Sequence, residues 1–454
     1  MTRRLAVAAL AGALLAGAAV LITAVPASAH VVPSTTIALD VHETDITADL
    51  VLPADDLATA SGVVIGDSLD ATAAGQIATY LEEHFAVSSE GGDQWSVEVE
   101  DVAVTETEQW GTGAFPAVTA TATLTPPEGT SLRRFTLAYD AIIHQVITSD
   151  IYVTLHSDWS AGELESARDL GTIAVDTMTG TVAPLDIDLA DGSGWQGFVG
   201  MVTLGISHIA EGTDHQLFLL TLLLPAPLLA IRGRWRGVAP MRTTVRRILT
   251  ITIAFTIGHS VTLALGAIGL PVPQQPVEAL IAVSILVAAA HAIRPIFPGR
   301  EALVAGGFGL VHGLAFSSTL SAMDLTGGQL ALSLLGFNLG IELMQLIVVA
   351  VVLPPLIVLA RTRAYAPLRI AAALITAVAA VGWLVDRVGA PNAIAQAADV
   401  LGSVFPWVAL GLWVSAAAVL VASQKRGFGD RRVVGVGSAR SKPSEPSAQL
   451  VGSP

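Results

Sequence analysis

His208, Glu211, Asp214 and His215 lie inside an otherwise apolar run, GISHIAEGTDHQLFLLTLLL. At 3.6 residues per turn, their spacing places all four within about 120° of one helix face. Ionisable side chains at membrane depth cost roughly 2.5–3.5 kcal/mol each on insertion scales, so four on one face mark a functional site. Other apolar segments repeat the pattern. Thr252, Thr256, His259 and Thr262 form one polar stripe, His312 sits in GGFGLVHGLAFSSTL, and Asn338, Glu342 and Gln345 recur at helical spacing in LLGFNLGIELMQL. His291 falls towards one end of its segment. Taken singly, each histidine is a hydrogen-bonding group between helices. Gathered at one depth, imidazoles and carboxylates form a nitrogen- and oxygen-rich donor set suited to Ni, Co, Zn or Fe(II). The chain has no cysteine and only six methionines, which removes thiolate sites, iron–sulfur clusters and a methionine relay for Cu(I). The candidate ligands are His208, Asp214, His215, His259, His312 and Glu342, with Glu211, His291 and Asn338 as weaker members.

The elements that position these residues follow from composition: 52% of the 454 residues are hydrophobic and 13% are charged. Seven apolar segments, about 197–229, 248–268, 277–294, 302–321, 329–358, 368–386 and 400–422, predict seven membrane-spanning helices. Arginine concentrates in alternate loops (RGRWRGVAPMRTTVRR, RPIFPGRE, RTRAYAPLR and the tail SQKRGFGDRR), whereas GLPVPQQP, MDLTGG and VGAPNA lack it. By the positive-inside rule this puts the C-terminus in the cytoplasm and everything before the first span outside. The pairs Gly309/Gly313 and Gly336/Gly340, each four residues apart, flank His312 and Asn338 and predict close helix contacts there.

Residues 1–29 read as a secretory signal: MTRR, a long apolar stretch, and Ala27-Ser28-Ala29 as the cleavage site. Cleavage there makes His30 the mature N-terminus, where its amine and imidazole could chelate a metal. Residues 30–190 predict an exported β-sandwich-like domain from alternating stretches such as TIALDV, ITADLVL, SVEVEDVAVTETE and AVTATATL, with one helix near 70–85. His42, His144 and His156 in this domain add ligands only if the fold gathers them, and His84 reads as a surface residue of the helix. From 30 to 196 there are 28 acidic residues against Arg133, Arg134 and Arg168, a balance that repels nucleic acid. Residues 191–196 form a linker, 197–423 the membrane domain, and 424–454 a disordered cytoplasmic tail.

His208-x5-Asp214-His215, with His312-Gly-Leu-Ala downstream, resembles the HupE/UreJ family, membrane proteins associated with nickel or cobalt supply. GISHIAEGTDHQLFLL, FTIGHSVTLALGAIGL, VEALIAVSILVAAAHAIRP, FGLVHGLAF and GFNLGIEL, together with AHVVPS and IIHQV…LHSDW, are similar to the extended branch with an exported N-terminal domain. The resemblance implies metal contacts at His208, Asp214, His215 and His312. Short members carry F-H-G-x-A-x-G-x-E. Here Val311 precedes the histidine, Ser317 and Thr319 stand at the later Gly and Glu positions, and Glu342 is the carboxylate available to substitute.

Three functions share these residues. One is a plasma-membrane permease for a divalent metal, nickel or cobalt by resemblance, with zinc or iron also matching the donors. The second is an intramembrane zinc hydrolase in which Ser260 or Ser317 polarises a carbonyl. The third is a metal-sensing receptor. The expected partners are the lipid bilayer, the metal ion and a separate coupling or acceptor protein, because the chain has no GxxxxGK[ST] motif of its own.

Overall fold

The computed structural model describes residues 33–433 apart from 110–111, 165–166, 190, 268–272, 324 and 326. The proposed signal, its cleavage site and His30 lie outside the described residues.

The strand-rich unit begins with β1 (Thr35–Val41) and β2 (Ile46–Pro53), an antiparallel pair whose inward residues alternate with outward ones. Two helices follow, α1 (Ala54–Ser61) and α2 (Ala71–Glu83). The second matches the expected helix. Asp70 caps it by accepting the Thr72 and Ala73 amides at 3.0 and 2.8 Å, and Ile77 and Leu81 point inward from one face. The first was not foreseen, because a short Ala/Asp-rich stretch has little amphipathic signal. The remaining strands are β3 (Phe85–Ser89), β4 (Ser96–Gln109), β5 (Gly113–Thr125), β6 (Arg134–Tyr139), β7 (Ile151–Asp158), β8 (Arg168–Ile173), β9 (Val175–Asp176), β10 (Thr181–Val182) and β11 (Leu185–Asp188). They form a six-stranded sheet ordered β4-β5-β2-β1-β7-β8, a three-stranded sheet β11-β6-β3 and the small pair β10-β9. The β1–β7 pairing is parallel. Ile37, Leu39, Leu50, Leu124, Leu137 and Tyr139 belong to one core shared by the two larger sheets and α2. Within this unit, the indole of Trp159 donates to Ser333 Oγ at 2.7 Å and packs where a Cβ on Gly197 would fall 2.6 Å from its ring.

The helical region starts with α3 (Gly194–Glu211) and α4 (Thr213–Leu223). A hairpin, β12 (Leu228–Ile231) and β13 (Arg234–Val238), occupies the first expected arginine-rich loop. Its turn residues Arg232 and Gly233 both have positive φ, 51° and 70°, as a two-residue type I′ turn requires. Then come α5 (Met241–Ala267), α6 (Gln274–Ile293), α7 (Glu301–Ala315), α8 (Ser317–Ala322), α9 (Gly327–Leu359), α10 (Tyr365–Arg387), α11 (Ala393–Asp399) and α12 (Phe405–Val433).

Five helical stretches are long and apolar enough to cross a bilayer: α5, α6, α9, α10 and Ala393–Ser423. The other two expected spans are interrupted. The first is split between α3 and α4 at Gly212, and the fourth consists of the 15-residue α7 followed by the short α8. The last helix runs to Val433, into the segment expected to be a disordered tail.

Two helix seams hold the region together. A Cβ on Gly258 would strike the Gly306 carbonyl, one on Gly309 the Phe255 carbonyl, and one on Gly313 the His259 carbonyl, so α5 and α7 touch backbone to backbone beside His259 and His312. In the same way, Gly205 of α3 meets the Phe337 carbonyl and Gly340 of α9 meets the Val202 carbonyl.

Candidate metal centre

The break at Gly212 shapes the site. Gly212 leaves helical geometry at φ −66°, ψ 96°, ending α3 three residues after His208 and starting α4 with Asp214 in its first turn. The carbonyl of Ala210, freed by the break, accepts the side-chain amide of Gln216 instead. A Cβ at Gly212 would lie 3.0 Å from His215 Nδ1 and 3.2 Å from Asp214 Oδ1. The position is therefore kept open for those two side chains.

The hydrogen-bond partners assign the protons on the two central imidazoles. Asp214 Oδ1 accepts from His215 Nδ1 at 2.9 Å and from the His215 amide at 2.8 Å. This carboxylate–imidazole bond orients the ring and leaves Nε2 with a lone pair. On α7, His312 Nε2 lies 3.1 Å from Ser284 Oγ of α6. The Ser284 hydroxyl donates to the Ile281 carbonyl at 2.7 Å, so it accepts from His312 and leaves His312 Nδ1 with a lone pair. The two lone-pair nitrogens, His215 Nε2 and His312 Nδ1, face each other at 3.3 Å. With no proton between them that contact is repulsive. It matches the separation, about 3.3 Å, of two nitrogens bound to one tetrahedral metal at roughly 2.0–2.1 Å each.

His208 and His259 complete the cluster. One ligand atom from each of His208, His215 and His259 lies within 4.8 Å of the others, and the same holds for Asp214, His215 and His312. His215 is common to both groups. His259 is fully buried beside the Asn338 side chain, and neither of its nitrogens makes a hydrogen bond of normal geometry; His208 Nε2 also makes none. A buried polar atom without a partner costs about 1–3 kcal/mol, so three in one cluster point to a ligand that supplies the missing bond. Aromatic rings pack around the cluster. Phe255 lies 5.3 Å from His312, Phe316 lies 4.8 Å from His208, and Phe337 lies 5.3 Å from His208 and 6.1 Å from His259, measured between ring centroids.

Other sequence candidates lie elsewhere. Glu342 accepts from Thr256 Oγ1 at 2.7 Å and approaches Thr252 Oγ1 at 3.4 Å, outside both donor groups. The Asn338 amide donates to the Leu334 carbonyl at 2.7 Å, and its side chain stands beside His259 at the edge of the cluster. Glu211 is exposed. His291 has a structural setting: its Nδ1 accepts the Ile296 amide at 3.1 Å, its carbonyl accepts the Trp235 indole at 2.8 Å, and its ring stacks on Phe297 at 3.8 Å. In the strand-rich unit, His42 bonds Thr47, His156 pairs with Asp40, and His84 pairs with Asp140 while stacking on His144. Sequence reasoning missed Ser284 and Gln216. A lone hydroxyl in VEALIAVSILVAAAHAIRP was the available signal for the first.

No curated protein and no solved structure matches the chain. Residues 186–387, which carry the whole histidine cluster, match the family model described as HupE / UreJ protein.

Proposed function

We propose that the protein is a plasma-membrane permease for a divalent transition metal, with nickel or cobalt favoured by the family it matches. The observation that carries this reading is the pair of facing lone-pair nitrogens on His215 and His312, flanked by the unpartnered nitrogens of His208 and His259. In this reading those four imidazoles bind the ion as substrate. Asp214 orients His215 and offsets the ion's charge.

The interrupted first and fourth segments count as spans, giving seven. Non-helical backbone at membrane depth is tolerated where it lines a cavity or site, and broken helices recur at the substrate sites of secondary transporters. The acidic strand-rich domain lies outside and the C-terminus inside, as the arginine-bearing loops require. A separate protein receives the metal or supplies the energy.

The hydrolase alternative is less well supported. Ser260 and Ser317, its candidate polarising groups, donate to the Thr256 carbonyl of α5 and the Leu314 carbonyl of α7, each at 2.7 Å. The test is uptake of Ni, Co, Zn, Mn and Fe(II) into proteoliposomes, with bound metal counted in the same samples. Uptake lost in both His215→Ala and His312→Ala supports the permease. Tightly bound metal without flux overturns it and favours the enzyme.

A further inference from the structure

Glu342 is the one ionisable residue of α9 between Gly327 and Leu359. It is half-buried near the middle of a 33-residue apolar helix. The metal cluster does not use it. Among the described residues it forms no ion pair with Lys, Arg or His, in contrast to Glu301 with Arg247 and Glu278 with Arg387. Its carboxylate meets two hydroxyls instead, Thr256 Oγ1 at 2.7 Å and Thr252 Oγ1 at 3.4 Å. The Thr252 hydroxyl also lies 3.2 Å from the Leu249 carbonyl, a second acceptor for its proton.

This pairing has a chemical consequence. An arginine partner would lock a carboxylate in its ionised form. A hydroxyl can donate to a carboxylate and accept from a carboxylic acid, so turning two threonine rotors satisfies either state. The position relative to the cluster is equally specific. Thr256 is one turn from His259 on α5, and Glu342 is one turn beyond Asn338 on α9. On α3, which meets α9 at Gly340 and Val202, the nearest titratable side chain is His208, while Glu211 is exposed. On α12, whose Trp413 indole donates to the Val351 carbonyl of α9, there is no titratable residue between Phe405 and Gln424. The ionisable groups nearest Glu342 along these helices are therefore the imidazoles beside which a bound ion would add positive charge, with Arg247, five residues from Thr252 on α5, already paired with Glu301.

We propose that Glu342 is a proton-carrying site that couples metal movement to proton movement in the opposite direction. This rests on the permease reading. A divalent ion in the cluster favours the ionised carboxylate, so the Glu342 proton leaves to the side from which the metal entered. When the metal departs to the other side, the carboxylate takes up a proton there, and one O–H bond is broken and remade per cycle. Thr252 and Thr256 reverse their hydrogen bonds at each step.

The test uses full-length protein in proteoliposomes with Ni²⁺ and Co²⁺ as probes and an entrapped pH dye. An acid interior is expected to drive metal accumulation with proton efflux, and reversing the gradient is expected to abolish it. Glu342→Gln is expected to bind metal more weakly and with less dependence on pH, because linkage is reciprocal, and to retain metal-for-metal exchange, but to lose both gradient-driven accumulation and proton efflux. Glu342→Asp is expected to restore coupling in part. Gradient-driven accumulation that survives in Glu342→Gln, loss of metal binding in that variant, or wild-type uptake indifferent to the gradient each overturns the proposal. Wild-type protein that moves none of the metals overturns the permease reading and this proposal with it.

Discussion

Nine histidines fall among the described residues, four in the strand-rich unit and five in the helical region, and the two sets are treated differently. In the strand-rich unit each imidazole has a nitrogen committed: His42 to Thr47, His84 to Asp140, His144 to the Asp140 carbonyl and His156 to Asp40. In the helical region, where water cannot substitute for a missing partner, His259 has both nitrogens without a hydrogen bond of normal geometry, and His208 and His291 have one each. Hydrogen bonds were made where they are cheap and withheld where withholding them is costly. Retaining unpartnered nitrogen in an apolar setting makes sense when a ligand completes it. His291 is intermediate. It lies in the same membrane region but outside the cluster; its Nδ1 accepts two backbone amides, and its buried Nε2 has only Glu301 Oε1 nearby, at 3.9 Å.

The largest effect is expected at the residue shared by both donor groups. His215→Ala should abolish metal binding and flux; stoichiometric bound metal in that variant would break the distinction between the two histidine sets. Asp214→Asn keeps the shape but weakens the bond that orients His215, so metal affinity should fall about 10- to 100-fold, measured by competition titration. His259→Leu separates ligand from structure. It should weaken metal binding, yet the metal-free protein should unfold at the same or a higher temperature, because a buried polar group costing about 1–3 kcal/mol has been removed. Clear destabilisation of the metal-free protein would show that His259 is a structural residue. The smallest effect belongs to the strand-rich unit, where His156→Ala, at an exposed side chain, should change stability by no more than about 0.5 kcal/mol and leave flux unchanged.

Much of this was legible in the chain. Period-two alternation in TIALDV and ITADLVL appears as β1 and β2, and the histidines read as lying at one depth, His208, His215, His259 and His312, fall into two donor groups that share His215. The break at Gly212 was not legible. A single glycine in an apolar helical run is usually tolerated, and only the tertiary positions of Asp214, His215 and Gln216 explain the departure. The setting of Glu342, outside both donor groups, was hidden for a related reason. Depth in the membrane follows from sequence, but the threonines it faces depend on how α5 and α9 are rotated. The parallel β1–β7 pairing, a contact across more than a hundred residues, left no local trace.

The central claim is that the helical histidines hold a divalent transition metal. X-ray absorption on purified full-length protein loaded with Ni²⁺ or Co²⁺ tests it most directly. The account predicts a coordination sphere rich in imidazole nitrogen at roughly 2.0–2.1 Å, as expected for metal–histidine bonds, and its loss in His215→Ala and His312→Ala. An oxygen-only sphere, or an imidazole sphere unchanged in both variants, would contradict it.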